Sequence, residues 1–130
     1  MLLLLAMSSC HQNPFLSEWT NPYGIPNFEN IRTSDYMKAV KAGIEAQKAE
    51  IKAITDNPEA PTFENTVAAF DRSGAILERV GNILMNVSES DATDEINAIV
   101  GKAMPLFSEH GDNIMMDKAL YERVKTVYEN

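Results

Sequence analysis

Apolar residues recur at intervals of three, four and seven along the chain from Thr33 onward, which is the spacing of one face of an α-helix. The first such stretch begins at Thr33 or Ser34, either of which can cap a helix, and ends before Asn57-Pro58. Its inner face consists of Tyr36, Val40, Ile44, Ile51 and Ile54. No stretch alternates in the manner of a β-strand, so we predict an all-α fold of antiparallel helices joined by short loops.

A second, longer helix is predicted to begin directly after Thr62, which is a good N-cap. Its apolar stripe extends from Phe63 to Val87, which corresponds to about 35–40 Å at 1.5 Å per residue. Gly74 and Gly81 lie inside this stripe, where each costs about 1 kcal/mol of helix stability relative to alanine. We therefore expect both glycines to allow a neighbouring helix to approach closely.

Two more helices follow in the sequence. Asp91 or Thr93 caps the third, in which Pro105 is expected to produce a kink. Asp117 begins the fourth, and its expected inward residues are Leu120, Val124, Val127 and Tyr128. The pattern reaches Asn130 without the glycine or proline that typically follows a helix, which indicates an interrupted element.

The first ten residues, 1–10, combine a short apolar run with small residues and the single cysteine of the chain, Cys10. The run Leu2–Met7 is much shorter than the ~20 residues that a membrane-spanning helix needs. It is typical of the end of a secretory signal, although no basic residue precedes it. Met7-Ser8-Ser9-Cys10 resembles a bacterial lipobox, so we predict a truncated lipoprotein signal and acylation at Cys10. The alternative is a free or buried cysteine.

Residues 11–32 form a different kind of segment, rich in asparagine, proline and aromatic residues. Three prolines and Gly24 exclude a long helix here. The aromatic content favours a segment pinned across the surface of a folded body over a free linker. Residues 33–130 are then the helical region, which we interpret as incomplete.

Charge and histidine content exclude several classes of function. Lys and Arg number 11 against 19 Asp and Glu, a net charge of -8, which argues against a nucleic-acid partner. His11 and His110 are too far apart for a zinc motif on one helix. We interpret His11 as solvated, His110 as a surface residue near a helix end, and Met115-Met116 as core filler. The residues alone therefore predict no catalytic, cofactor-binding or metal-ligating site.

Short motifs in a fixed order cover almost all of the chain from Asn13 to Asn130. In order they are Asn13-Pro14-Phe15-Leu16, Ile25-Pro26-Asn27-Phe28-Glu29-Asn30-Ile31, Tyr36, Gly43, Lys48-Ala49-Glu50-Ile51-Lys52-Ala53-Ile54, Asn57-Pro58, Pro61-Thr62-Phe63-Glu64-Asn65-Thr66, Ser73-Gly74, Leu77, Arg79-Val80 and Leu120-Tyr121-Glu122-Arg123-Val124. This series resembles the N-terminal region of the thimet-oligopeptidase-like zinc metallopeptidases, in particular their bacterial peptidyl-dipeptidase (dipeptidyl carboxypeptidase) branch.

The resemblance implies a much longer, helical enzyme whose two halves flank a deep channel. In the family, a His-Glu-x-x-His helix and a further Glu bind zinc far toward the C-terminus, and the zinc activates water for peptide hydrolysis. No zinc or catalytic position of the family has a counterpart in this chain. The resemblance implies that the helices at Asp35–Ile54 and Phe63–Val87 wall the channel. It also implies that the fragment alone is inactive and that its partner is the remaining C-terminal part of the same protein.

The expected parent is thus a zinc peptidyl-dipeptidase that releases C-terminal dipeptides from short peptides, in the bacterial cell envelope, lipid-anchored or periplasmic. Two other hypotheses remain open. One is a stand-alone helical interaction lipoprotein that holds a partner through the aromatic residues of Trp19–Phe28 and one helix face. The other is an acidic cation-binding module around Ser88–Glu95.

Overall fold

The computed structural model describes residues 11–130, and all of the regular structure in this range is helical. Three 3₁₀ turns, Pro14–Leu16, Pro22–Gly24 and Phe28–Asn30, precede helix α1, Thr33–Thr55. A π-helical segment, Phe63–Ala68, leads into the single turn of α2, Ala69–Asp71. The longer helices α3, Ala75–Ser90, α4, Asp94–Met115, and α5, Lys118–Glu129, complete the described part. The predicted all-α class is confirmed.

The predicted continuous helix from Phe63 to Val87 is wrong, because the chain turns at Gly74. Gly74 has a φ of +78°, in the left-handed region that favours glycine. Its N–H donates to Glu50 Oε2 of α1 at 2.7 Å. A side chain at this position would also collide with the amide group of Gln47. The glycine is therefore part of a tight turn against α1, and α3 begins only after it.

Close backbone approach occurs at a different glycine, Gly43 of α1. A Cβ atom at Gly43 would lie 2.9 Å from the backbone nitrogen of Leu77 and 3.0 Å from its Cα. Helices α1 and α3 therefore touch backbone to backbone at this point. Gly81 of α3 lies inside a helix as predicted, and a Cβ there would meet the Phe107 ring of α4 at an ordinary 3.5 Å.

Side-chain caps begin three of the helical elements that follow α1. Thr62, Thr93 and Asp117 accept hydrogen bonds from the N–H groups of Asn65, Ile96 and Leu120, at 3.1, 3.2 and 2.9 Å. These three predicted caps are confirmed. At α1 neither Thr33 nor Ser34 is the N-cap, because the helix already begins at Thr33 behind Arg32.

The helices enclose a large first core and a small second core. The first core joins the N-terminal segment to α1, α3 and α4, and its buried residues are Phe15, Tyr36, Ala39, Val40, Leu77, Val80, Leu84, Ile96, Ile99 and Ala103. The second core joins α1 to α5, α2 and the end of α4. Its buried residues are Ile51, Ile54 and Leu120, with Ala69, Phe70 and Ile114 packed against them.

The C-terminal end of the chain is more exposed than predicted. The predicted inward position of Tyr128 and Val124 is wrong, since Tyr128 is 90% exposed and Val124 is also exposed. Leu120 is the one residue of α5 that is buried. Met115 and Met116 were interpreted as core filler, yet they are 83% and 81% exposed at the end of α4. α5 therefore packs against the other helices through a narrow face around Leu120.

Among the helices of residues 11–130, none has the length and apolarity that crossing a membrane requires. The predicted signal segment 1–10 and the predicted acylation site Cys10 lie outside the described residues.

Candidate functional site

The N-terminal segment is fixed to the helical body by a cluster of aromatic residues and one arginine. The ring of Phe15 is fully buried and lies 5.2 Å from the ring of Tyr36 and 6.4 Å from that of Trp19. The Arg79 guanidinium of α3 stacks over Trp19 at 4.4 Å from the ring centroid. It also donates to the carbonyl oxygen of Ser17 at 3.0 Å. The prediction of a pinned segment is confirmed.

His11 is exposed, as we expected, and its ring is also held by a buried carboxylate. Its Nε2–H donates to Asp35 Oδ2 at 2.8 Å, and Asp35 is only 1% exposed. The same oxygen accepts the backbone N–H of Arg32 at 2.8 Å, so Asp35 also satisfies the first turn of α1. Burial by itself raises the pKa of Asp35. The hydrogen bonds from Arg32 and His11 and their positive charges outweigh it and hold the pKa below its usual value.

A polar cavity of about 500 Å³ lies beside this pair. Its lining includes His11, Glu18, Trp19, Glu29 and Arg32. A buried carboxylate that orients a histidine is an arrangement found in catalytic sites, but a nucleophile must also be present. The hydroxyl of Ser17, which lines the same cavity, donates instead to the carbonyl of Pro14 at 3.0 Å. The pair of His11 and Asp35 therefore acts as a structural pin.

His110 is buried between α4 and α1, and our placement of it at the surface was wrong. Its Nε2 lies 2.9 Å from Oε1 of Gln47. Gln47 in turn donates to Ser73 Oγ at 3.1 Å, and that hydroxyl donates to the carbonyl of Phe70 at 2.7 Å. Burial, and next the positive charge of Lys48, lower the pKa of His110, while Glu45 opposes them. This relay joins α4, α1 and the turn before α3.

Arg123 joins α5 to the loop after α1. Its Nη1 donates to the carbonyl of Asn57 at 2.9 Å, and its Nη2 to that of Glu59 and to Asn65 Oδ1, both at 3.3 Å. Sequence reasoning missed Arg79 and Arg123 as clamps on backbone carbonyls. The available signal for Arg79 was its position beside the buried stripe residue Val80, where a charged side chain must find partners. Arg123 carried no such signal, because Val124 beside it is exposed.

The described residues hold no arrangement that fits a metal ion. Within 11–130, no group of three or more His, Cys, Asp or Glu side chains converges on a common point. The acidic residues of Ser88–Glu95 form no such group either. A zinc ion therefore has no matching ligand set in this range.

Comparison with known proteins adds what the geometry does not supply. Over 117 residues the chain is 32% identical to the dipeptidyl carboxypeptidase of Escherichia coli strain K12. Over the same length it is 31% identical to the dipeptidyl carboxypeptidase of Salmonella typhimurium strain LT2. The chain is similar to bacterial dipeptidyl carboxypeptidases. The predicted resemblance to this branch is thereby confirmed.

The match to the dipeptidyl carboxypeptidases covers most of this chain but a small part of each relative. It covers 90% of this chain but 17% of each relative, so the chain spans about a sixth of their length. No family model matches the sequence. The similarity thus relates this helical body to one segment of a much longer peptidase.

Proposed function

We propose that this chain is the N-terminal region of a zinc-dependent peptidyl-dipeptidase that releases C-terminal dipeptides from short peptides. The main support is the 32% identity over 90% of the chain to a protein named dipeptidyl carboxypeptidase. In this proposal the zinc ligands and the general base belong to the remaining part of the same polypeptide. The helical body described above then has a structural task in the enzyme.

That task, in our proposal, is to wall and cover the substrate channel. The backbone contact between α1 and α3 at Gly43 and Leu77 supports a stiff wall, because such packing resists deformation. The exposed apolar side chains at the end of α4 and on α5 support a body that a larger protein covers. They are Met115, Met116, Tyr121 and Tyr128.

The isolated 130-residue chain tests whether zinc binding and catalysis belong to the remaining part of the polypeptide. We expect it to bind no zinc at 1:1 stoichiometry in calorimetry, because its described residues offer no ligand set. We also expect no dipeptide release from an N-blocked tetrapeptide. Zinc-dependent release of dipeptides by this chain alone would contradict the proposal. The coding sequence downstream of Asn130 gives an independent check, since the proposal expects an in-frame His-Glu-x-x-His there.

We also propose that the protein lies in the bacterial cell envelope, anchored through acylated Cys10. The apolar run Leu2–Met7 and the lipobox-like Met7-Ser8-Ser9-Cys10 support this. His11, the next residue, is bonded to buried Asp35, so an anchor at Cys10 would hold the start of α1 close to the lipid surface. Mass spectrometry of the native N-terminus is expected to find acylated Cys10 as the first residue. An unmodified Cys10 behind an intact leucine run would contradict the anchor.

A further inference from the structure

His110 lies on α4 between the part of the helix that packs in the first core and the part that packs against the second. Ile99 and Ala103, earlier on α4, are buried in the first core, while Ile114, later on α4, packs against the second. The second core is small, since it has only three buried residues in the described part of the chain, and α5 contributes one of them. The contact of His110 with Gln47 therefore fastens α4 to α1 next to the less strongly packed end of the molecule.

The hydrogen-bond relay fixes which nitrogen of His110 carries the proton. The Ser73 hydroxyl donates to the carbonyl of Phe70, so Ser73 Oγ accepts from the amide of Gln47. Oε1 of Gln47 is then left facing His110, and it requires a donor. In the neutral ring the proton is therefore on Nε2, and Nδ1 presents only a lone pair.

Nδ1 is the sensitive atom of this arrangement. It is buried and has no hydrogen-bond partner among the described residues. In the neutral ring this leaves one unused acceptor. In the protonated ring it becomes an unsatisfied N–H that belongs to a charged group, and a buried charge without a partner is strongly destabilising. Protonation therefore favours opening of the interface between α1 and α4, because water that reaches the ring gives the Nδ1–H a partner.

Charged side chains around the ring do not remove this penalty. On α1, Lys48 opposes protonation and Glu45 favours it, and these two residues pair with each other at 2.8 Å. The other charged groups that line the two openings beside the ring are Lys41 and Lys52 of α1, Glu109 of α4 and Asp117, the N-cap of α5. None of these side chains hydrogen-bonds to Nδ1.

We propose that His110 is a pH-sensitive latch that holds the C-terminal half of α4 and α5 on α1 at neutral pH and releases them in acid. Burial lowers the pKa of His110, so the closed form loses stability as the pH falls. The open form binds the proton more readily than the closed form. The latch is therefore fully closed above the ordinary histidine value of 6.5 and weakens as the pH falls below it. Asp35 does not interfere in this range, because its pKa is held below 3.8.

Amide hydrogen exchange of the 130-residue chain at pH 7.5 and pH 5.0 tests the latch, after correction for intrinsic exchange rates. We expect the opening equilibrium of the end of α4 and of α5 to rise by up to about tenfold per pH unit below 6.5. Amides of α3 and of the first half of α1 should change little, since the first core does not depend on His110. Equal protection at both pH values, or an equal loss in α3 and α5, would overturn the proposal.

Two variants separate the latch from a general effect of acid. His110→Gln keeps a donor for Gln47 and cannot titrate, so the pH difference should disappear. Gln47→Glu places a carboxylate opposite Nε2, stabilises the protonated ring and should reduce the loss of protection at pH 5.0. If His110→Gln does not fold, the wild type and Gln47→Glu still decide the matter. An undiminished pH difference in either folded variant would contradict the latch.

Discussion

Replacing Phe15 by alanine is expected to lower the free energy of unfolding by about 3–5 kcal/mol, the usual cost of deleting a buried aromatic ring. The ring of Phe15 has no exposed surface and fills the space between Tyr36 and Trp19. The loss should appear as a lower midpoint in urea denaturation followed by circular dichroism. Phe15 lies in the N-terminal segment, before the first helix of the core. The size of the effect therefore measures how much the packing of this segment contributes to the stability of the helical body.

Leu16→Ala is the matched control for this experiment. Leu16 is the next residue in the same 3₁₀ turn and is 46% exposed. Its truncation should therefore change stability by about 0.5 kcal/mol or less, as is usual for surface positions. If Phe15→Ala costs no more than Leu16→Ala, residues 11–32 are not part of the first core and our description of the segment is wrong.

Replacing Gly43 by alanine is the second large effect we expect. In most helices this change stabilises, because alanine is the better helix former. Here the added methyl group would lie 2.9–3.1 Å from backbone atoms and the Cβ of Leu77. The two helices must move apart, and we expect a net loss of about 1–3 kcal/mol, as for other overpacked sites. Thermal or urea denaturation measures it.

The same substitution at Gly111 separates packing from helix propensity. Gly111 lies in α4, and nothing is within 4 Å of the position that a Cβ atom would take. Gly111→Ala should therefore leave stability unchanged or raise it by up to about 1 kcal/mol. Opposite signs for the two variants are expected. A stabilising Gly43→Ala would show that α1 and α3 are not in backbone contact.

Local signals in the sequence predicted the helices well where a cap and an apolar period coincide. Thr93 and Asp117 mark the starts of α4 and α5 because each side chain bonds to a backbone N–H within three residues. The break at Gly74 could not be predicted in this way. The chain turns there because the N–H of Gly74 donates to the carboxylate of Glu50, which lies 24 residues earlier in the sequence.

The polar interior was the least predictable part of the molecule. His11 and Asp35, and likewise His110 and Gln47, are pairs whose members lie on different elements. Periodicity places each residue on a face of its own helix but does not say which polar residue meets which. Asp35 lies in the first turn of α1, and its burial follows from the N-terminal segment folding back over α1.

The function proposed for the chain depends on similarity to longer proteins, so the most direct measurement uses the product of the entire reading frame that contains it. Purified protein is incubated with an N-blocked tetrapeptide, with and without a zinc chelator, and the products are identified by mass spectrometry. The proposal predicts release of the C-terminal dipeptide, its loss on chelation and its recovery when zinc is restored. A zinc-loaded, folded product that releases no dipeptide, or only single amino acids, would contradict it.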